Sequence, residues 1–359
     1  KSVWKRRDKK RHITISDLSL QFDQLQHHAV LLPAGLSEFL GLVEGSGSSQ
    51  KTADSTKDES WAEQMSGTWR LQNFGREQWH SNGTITAKNG LFESPRLLVE
   101  GIHGKAEFKG GINFQKATGD VDILAATLLS KGYPALPELL EGLNIRGRIH
   151  QAQLSLLNNQ IQAIHGYYRL KRGKLNMENI QATIAGGELF SKKLSITPRA
   201  GSFGLAGKIR LKNIQLEQVN HLNALLLAEM KGKLHANVEL QGVIPDASSK
   251  AWQLSNGDIL IYSGQWNRQS EADTLSEHLG IKETELITHG FRELSFRFRI
   301  REQMSDISQL KLNLGGSLYS GKATISSGLE IEGALKSKEK GLRYAIDGNW
   351  PTPAWQPLQ

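Results

Sequence analysis

The closest approach to a chemical motif in this sequence is the segment 316–323, Gly-Ser-Leu-Tyr-Ser-Gly-Lys-Ala, which has the outline of a phosphate-binding loop. Such a loop needs Ser or Thr after its lysine to hold magnesium, and a helix N-terminus to receive the phosphate. Here Ala323 follows Lys322, and the next residues alternate apolar and polar side chains as a strand does. We therefore interpret the segment as a β-turn.

Other reactive residue types lack the spacing that chemistry requires. The eleven histidines are scattered, with only His27 and His28 adjacent, and no HExxH pattern or spaced His/Asp cluster suggests a metal. The sequence contains no GxSxG elbow and no plausible Ser/His/Asp set. Cysteine is absent, which excludes thiolate chemistry, Cys-ligated zinc and disulfides. We predict that the protein is not an enzyme and uses no cofactor or metal.

Basic residues raise the question of a nucleic-acid or membrane partner, since the formal net charge is +8. In Phe296-Arg297-Phe298-Arg299 the rings and the guanidinium groups would point to opposite faces of a strand, so they cannot grip a nucleic acid together. Much of the remaining charge lies in segment 1–11. This segment is either a solvated terminal segment or loop, or a contact for phosphate head groups.

Strict alternation of apolar and polar residues dominates the last third of the chain, from Leu234 onward. Alternation with period two predicts strands with one apolar and one polar face, and glycine at 36 of 359 residues favours many tight turns. We predict a mainly β fold: a long, curled antiparallel β-sheet whose apolar face forms a groove, with a few short helices at its edges. The residues assigned to this apolar surface are Leu234, Ala236, Val238, Leu240, Leu294, Phe296, Phe298, Ile300, Leu310, Leu312, Leu314, Ile325, Leu329, Ile331, Tyr344 and Ile346.

Four regions follow from changes in composition. Residues 1–43 are predicted to contain a basic N-terminal segment, a strand and a short helix. Residues 44–60 have almost no apolar side chains and are predicted to be a flexible polar loop. A β-rich segment covers 61–142, and a second β region covers 143–359. Helical spacing predicts capping helices at 33–43 and 215–230 and a further cap made of 272–279 and 282–288. Segment 124–140 is interrupted by Gly132, Pro134 and Pro137 and is predicted to form two short helical turns. The chain begins at Lys1 without Met or a signal peptide, which suggests a fragment of a longer protein.

Glycine and strand patterns between about Leu143 and the end resemble the C-terminal part of the AsmA-like family, whose architecture is related to that of TamB-type bridge proteins. The segments that carry the resemblance are Gly204–Leu211, the predicted helix 215–230, Met230–Gly242, Leu254–Ile261, Phe291–Ile300, Leu310–Leu314, Leu318–Ile325 and the close Tyr344–Pro353. They occur in the order that the family shows.

The resemblance implies a periplasmic body anchored to the bacterial inner membrane by an N-terminal segment that this chain lacks. It also implies that the apolar groove holds or conducts phospholipid toward the outer membrane and supports outer-membrane biogenesis and integrity. Phospholipid acyl chains are thus the expected partner, with outer-membrane proteins as a further one and no nucleic acid. The alternative is a structural or assembly factor of the cell envelope without lipid transport, and a closed β-sandwich would leave no room for lipid.

Overall fold

The computed structural model describes most of the chain, in ranges separated by short gaps. These ranges are residues 2–7, 10–21, 40–52, 65–76, 79–102, 104–129, 142–156, 159–199, 202–219, 230–245, 254–266, 290–301, 304–314, 316–326, 330–339, 341–349 and 352–358.

Strands account for nearly all of the described structure, as the alternating pattern predicts. They are β1 (Ser2–Arg7), β2 (Lys10–Gln21), β3 (Leu40–Thr52), β4 (Met65–Arg76), β5 (Trp79–Lys88), β6 (Leu91–Gly101), β7 (Gly104–Asn113), β8 (Thr118–Leu129), β9 (Asn144–Leu156), β10 (Asn159–Lys171), β11 (Lys174–Ile184), β12 (Gly187–Arg199), β13 (Ser202–Gln215), β14 (Met230–Pro245), β15 (Leu254–Trp266), β16 (Phe291–Arg301), β17 (Met304–Leu314), β18 (Ser317–Ser326), β19 (Glu330–Ser337), β20 (Arg343–Asn349) and β21 (Thr352–Leu358). The predicted mainly β class is confirmed.

The chain divides into two compact units. The N-terminal unit comprises residues 1–154 and 163–177, and the C-terminal unit comprises 155–162 and 178–359. In the N-terminal unit, β1 to β8 pair in chain order, each antiparallel to the next. In the C-terminal unit, β12 to β21 do the same. Each unit is therefore built from a meander of neighbouring strands, as short connections favour.

β-Bulges interrupt the alternation at regular places and keep apolar residues on one face. In β13, Asn213 has φ of 57°, and the register shifts between Leu211 and Ile214. In β17, Gln309 has φ of 54°, and the register shifts between Ile307 and Leu310. An extra residue in one strand reverses the parity, so apolar residues three apart can share a face. Asn73 in β4 and Ser263 in β15 occupy equivalent bulges.

Most of the predicted capping helices are not borne out where the structure describes their residues. Residues 124–129 belong to β8, residues 40–43 begin β3, and only a single 3-10 turn, Leu216–Gln218, follows β13. In β8 the residues pair with β7 along the whole strand, and this pairing overrides local helical spacing. The rest of 33–43 and 124–140, residues 220–229, and segments 272–279 and 282–288 lie outside the described residues.

The polar segment 44–60 was predicted to be a flexible loop, which is wrong for residues 44–52. These residues belong to β3, which pairs with β2 on one side and β4 on the other. Backbone pairing needs no apolar side chains, and the indole ring of Trp69 in β4 lies over Gly45 and Gly47 and supplies the missing cover. Residues 53–60 lie outside the described residues. In the basic segment 1–11, residues 2–7 and 10–11 belong to the paired strands β1 and β2.

None of the helices formed by the described residues has the length and apolar character needed to cross a membrane.

Candidate functional site

One face of the C-terminal unit carries a continuous apolar surface, here called the apolar face, across β13 to β20. Strand pairing aligns its side chains in rows that run perpendicular to the strands. Row 1 consists of Ile214, Leu234, Ile261, Leu294, Leu312, Tyr319 and Ser337. Row 3 consists of Ile209, Val238, Gly257, Phe298, Ile307, Ala323, Gly333 and Ile346.

Row 2 lies between these two rows, and row 4 forms one margin of the apolar face. Row 2 includes Leu211, Ala236, Ile259 and Phe296 on one side of the β17 bulge, and Leu310, Gly321, Leu335 and Tyr344 on the other. Row 4 includes Ile300, Ser305, Ile325 and Ile331. Rows two residues apart at ~3.3 Å per residue, on strands ~4.8 Å apart, give a band roughly 20 Å wide and roughly 34 Å long.

The predicted lining residues come together in this band. Buried within one apolar cluster are Leu234, Ala236, Val238, Leu240, Leu294, Phe296, Phe298, Leu312, Leu314, Ile331, Tyr344 and Ile346. Three more, Ile300, Leu310 and Ile325, are partly buried and pack against the cluster. Leu329 lies outside the described residues. Whether these residues line a lipid groove stays a prediction.

Exposure varies systematically across the band. At the row 1 margin Phe291, Leu314 and Tyr319 are 0% exposed. At the row 4 margin Ile300, Ser305 and Ile325 keep part of their surface in solvent. In β16 to β18 the row 4 margin is therefore more exposed than the row 1 margin, whereas Ile331 of row 4, in β19, is buried.

Sequence reasoning missed several members of the apolar face, among them Ile214, Ile259, Ile307 and Leu335. Ile214 and Ile307 lie beside bulges, which break the strict alternation that served as the criterion. Ile259 and Leu335 lie in stretches that do alternate, and they were not assigned to the face. The sequence signal for a bulge is a pair of apolar residues three positions apart, with Asn or another small polar residue directly before the second one. Leu211-Lys-Asn-Ile214 is an example. That spacing indicates a bulge with both apolar side chains on one face.

Glycines on the apolar face accommodate aromatic rings. A Cβ at Gly257 would lie 2.9 Å from Cε1 of Phe298, and a Cβ at Gly264 would overlap the ring of Phe291. Rings packed over glycine on a neighbouring strand recover the apolar burial that glycine lacks. The two phenylalanines are 1% and 0% exposed as a result.

The opposite face of the same strands is polar and carries ion pairs and hydrogen bonds. Arg297 Nε donates to Asp258 Oδ1 at 2.8 Å, and Arg210 Nε donates to Asn237 Oδ1 at 3.2 Å. His235 Nε2 lies 2.6 Å from the Tyr262 hydroxyl, which donates to Asn213 Oδ1 at 2.6 Å. Exposed pairs of this kind are worth about 0–1 kcal/mol each, so they mainly keep this face hydrated.

Two hydroxyl-bearing side chains are buried in row 1 of the apolar face, those of Tyr319 and Ser337. The hydroxyl of Tyr319 has no close hydrogen-bond partner among the described residues. Ser317 lies beside this hydroxyl as a weak hydrogen-bond partner, although the contact does not meet strict hydrogen-bond geometry. Burial first, and then the nearby Tyr344, raise the pKa of Tyr319, so its hydroxyl keeps its proton at neutral pH.

The N-terminal unit carries the second cluster of charged groups. Arg146 Nε donates to Asp120 Oδ1 at 2.6 Å, and the backbone N–H of Arg148 donates to Asp122 Oδ1 at 2.8 Å. The Arg148 hydrogen bond is the main cause that lowers the pKa of Asp122, and His150 at 3.4 Å adds to it. These exposed pairs tie β8 to β9.

No group of three or more His, Cys, Asp or Glu residues capable of holding a metal ion occurs in the part of the chain that the structure describes. The apolar face brings the predicted lining residues together, and its chemistry is apolar contact. Comparison of the chain with family models, curated proteins and solved structures finds no match. The resemblance to the AsmA-like family stays a prediction.

Proposed function

We propose that this protein is a bacterial envelope protein that holds or conducts phospholipid along the apolar face of its C-terminal unit. The observation that carries the proposal is row 3, in which apolar or glycine residues follow one another across every strand from β13 to β20 without a polar side chain. A row without a polar side chain offers an acyl chain apolar contacts on every strand that it crosses.

The dimensions of the apolar face suit an acyl chain. A bilayer hydrocarbon core is about 30 Å thick, so one acyl chain occupies about 15 Å of it. The band is roughly 20 Å wide along the strands, which accommodates one chain lying parallel to them. Along the roughly 34 Å of neighbouring strands, successive positions offer similar contacts, so a lipid can move from strand to strand without a large barrier.

The partly exposed row 4 margin provides the access that a closed core would lack. Ile300 and Ile325 lie there, packed against the cluster but not fully buried. An acyl chain that contacts this margin can enter the band by displacing side chains that otherwise bury one another, while the polar opposite face stays hydrated. The AsmA-like resemblance supplies the cellular setting of the proposal: the periplasm, with transfer from the inner toward the outer membrane and a role in outer-membrane integrity.

Site-specific photo-crosslinking tests the proposal. A benzophenone amino acid is placed at Ile300 or Leu312, on the apolar face, and at Arg299 or Lys311, their neighbours on the polar face. Each variant is incubated with vesicles of phosphatidylethanolamine and phosphatidylglycerol, irradiated, and examined by mass spectrometry for lipid adducts. We expect adducts from the first pair only, because alternate residues of a strand point to opposite faces.

Equal labelling of both pairs would mean that lipid contacts the protein without using the apolar face. No labelling from any of the four positions would overturn the lipid proposal and favour an assembly role without lipid. Purified protein that carries no extractable phospholipid would count against the proposal in the same way.

A further inference from the structure

The polar face of β17 to β20 separates its charged side chains into two rows. The residues of the acidic row are Asp306, Thr324, Glu332 and Asp347. The residues of the basic row are Lys311, Ser320, Lys336 and Arg343. All six charged side chains are exposed, and none of them takes part in an ion pair within the described residues. Both rows therefore keep their charge free for a partner.

Two cross-strand pairs between β19 and β20 bring like charges together. Glu332 lies directly opposite Asp347, and Lys336 lies directly opposite Arg343. Like charges in such positions destabilise a sheet. The two pairs do not relieve each other, because they are four residues apart, roughly 13 Å, and surface charges are screened over about 8 Å at physiological ionic strength. The arrangement is therefore unfavourable for an isolated copy of the chain.

A second copy of the chain supplies the opposite charges in the required order. We consider two copies with their polar faces in contact, related by a twofold axis that runs parallel to the rows and midway between them. Each strand then lies over the same strand of the other copy in the opposite direction, so the acidic row of one copy covers the basic row of the other. The facing pairs, each formed twice, are Asp306 with Lys311, Thr324 with Ser320, Glu332 with Lys336 and Asp347 with Arg343.

The bulge in β17 is part of this match. The acidic and basic residues are four positions apart in β19 and β20, but Asp306 and Lys311 are five positions apart. Residues an odd number of positions apart in a regular strand point to opposite faces. The extra residue at the Gln309 bulge brings Asp306 and Lys311 to the same face and into line with the two rows.

The surface between the two rows permits close approach but is small. Ala334 and Ala345 lie opposite each other there and present only methyl groups, and the exposed Lys322 has a flexible stem that lets its ammonium group turn away from the axis. Four strands ~4.8 Å apart and five residues at ~3.3 Å cover roughly 300 Å² of each copy. Standard interfaces bury about 800 Å² per partner, so the contact is weak and depends mainly on charge.

We propose that the polar face of β17 to β20 binds the same face of a second copy, with the acidic row of each copy on the basic row of the other. This inference goes beyond the proposed lipid function and does not depend on it, because the apolar face of the same strands stays free in the dimer.

Charge reversal with complementation tests the inference. The acidic variant is Lys336→Glu/Arg343→Glu, and the basic variant is Glu332→Lys/Asp347→Lys. Each variant alone should dimerise about 30-fold more weakly than the wild type, because four surface ion pairs are lost from each dimer, whereas an equimolar mixture should form a heterodimer. Lys208→Glu/Lys212→Glu is the matched control: it makes the same change of charge on β13, outside the two rows, and should dimerise as the wild type does.

Sedimentation velocity at protein concentrations up to about 500 µM measures these species, since a contact of this size is weak. The wild-type dimer should form at about 0.05 M NaCl and dissociate at about 0.5 M, where surface charges are screened over only about 4 Å. Urea midpoints of the two variants should match that of the wild type, because each keeps like charges opposite each other across β19 and β20.

Three results would overturn the inference. A wild type that stays monomeric at every concentration forms no dimer on this face. An acidic variant that dimerises as the wild type does would place the contact on another surface. Two monomeric variants whose mixture also stays monomeric would exclude the facing of acidic and basic rows. Lipid adducts at Ile300 or Leu312 on the apolar face test the proposed function separately, so the two ideas can fail independently.

Discussion

The loss of stability caused by a carboxylate in the centre of the apolar face measures how far that face is shielded from water. Val238 lies in row 3 of the apolar face, 8% exposed, between Ile209 and Gly257 on the neighbouring strands. None of these residues can offer a side-chain hydrogen bond or a counter-charge. In the Val238→Asp variant, the carboxylate must therefore either remain charged in an apolar setting or take up a proton.

Burial raises the pKa of a carboxyl group by up to about 3–5, and a change of one in pKa corresponds to about 1.36 kcal/mol. The free energy of unfolding of the variant is therefore lower than that of the wild type by at most about 4–7 kcal/mol at high pH. This loss is comparable to the whole free energy of unfolding of a typical domain, about 5–15 kcal/mol. The introduced group has a raised pKa in the folded state. Its cost is therefore smallest below about pH 4, where the unfolded chain is also protonated, and grows as the pH rises toward the folded-state pKa.

Urea unfolding at pH 4.5 and at pH 8 checks this expectation. Asn237→Asp is the matched control one residue away. Asn237 is exposed and accepts a hydrogen bond from Arg210 Nε at 3.2 Å, and it lies opposite Asp258 on the other neighbouring strand, so a carboxylate there meets one attraction and one repulsion that oppose each other. We expect the free energy of unfolding of the control to stay within about 0.5 kcal/mol of that of the wild type at both pH values. If Val238→Asp behaves like Asn237→Asp at pH 8, the apolar face is hydrated and the reasoning fails.

Three further outcomes follow from local geometry. Gln309 has φ of 54° at the β17 bulge, a conformation that a β-branched side chain disfavours and glycine tolerates. Gln309→Val should therefore lower the free energy of unfolding by about 1–2 kcal/mol, and Gln309→Gly should not lower it. Equal effects of both variants in urea titrations would exclude backbone strain as the cause. Gly264→Ala should lower the free energy of unfolding by about 1–3 kcal/mol in the same assay, because the added Cβ would overlap the Phe291 ring. An unchanged urea midpoint would show that the ring can move away freely. The lowered pKa of Asp122 stabilises the fold above the pKa of the unfolded carboxyl, about 3.9, and this contribution is lost as the pH falls through the folded-state pKa. Asp122→Asn should accordingly flatten the acid side of the stability profile, and an unaltered profile would contradict the assigned hydrogen bond from Arg148.

Much of the C-terminal unit follows directly from its sequence. β14 and β16 alternate without interruption from Leu234 to Leu240 and from Leu294 to Ile300, and the structure buries their apolar residues on one face. Side chains alternate across a strand by stereochemistry, so the burial pattern of an uninterrupted strand can be predicted once one residue is known to face inward. The same rule identified the exposed faces of Arg297 and Arg299.

The rule fails where pairing with neighbouring strands overrides the local pattern. Residues 124–129 have helical spacing but complete the pairing of β8 with β7, and residues 44–52 lack apolar side chains but pair on both sides. In the second case the ring that covers the strand is Trp69, which lies about twenty residues away in the sequence. No local composition reveals a partner that the neighbouring strand supplies.

The sequence by itself determined the fold class and the identity of most residues of the apolar face, because alternation is a property of each strand alone. The tertiary structure decided how those strands align into rows, which margin of the face is more exposed in β16 to β18, and that Tyr319 is buried in row 1. These features depend on register and on bulges such as that at Gln309, where one inserted residue shifts the alignment of one strand against the next. Register arises from contacts between strands, so it becomes visible only when they are paired.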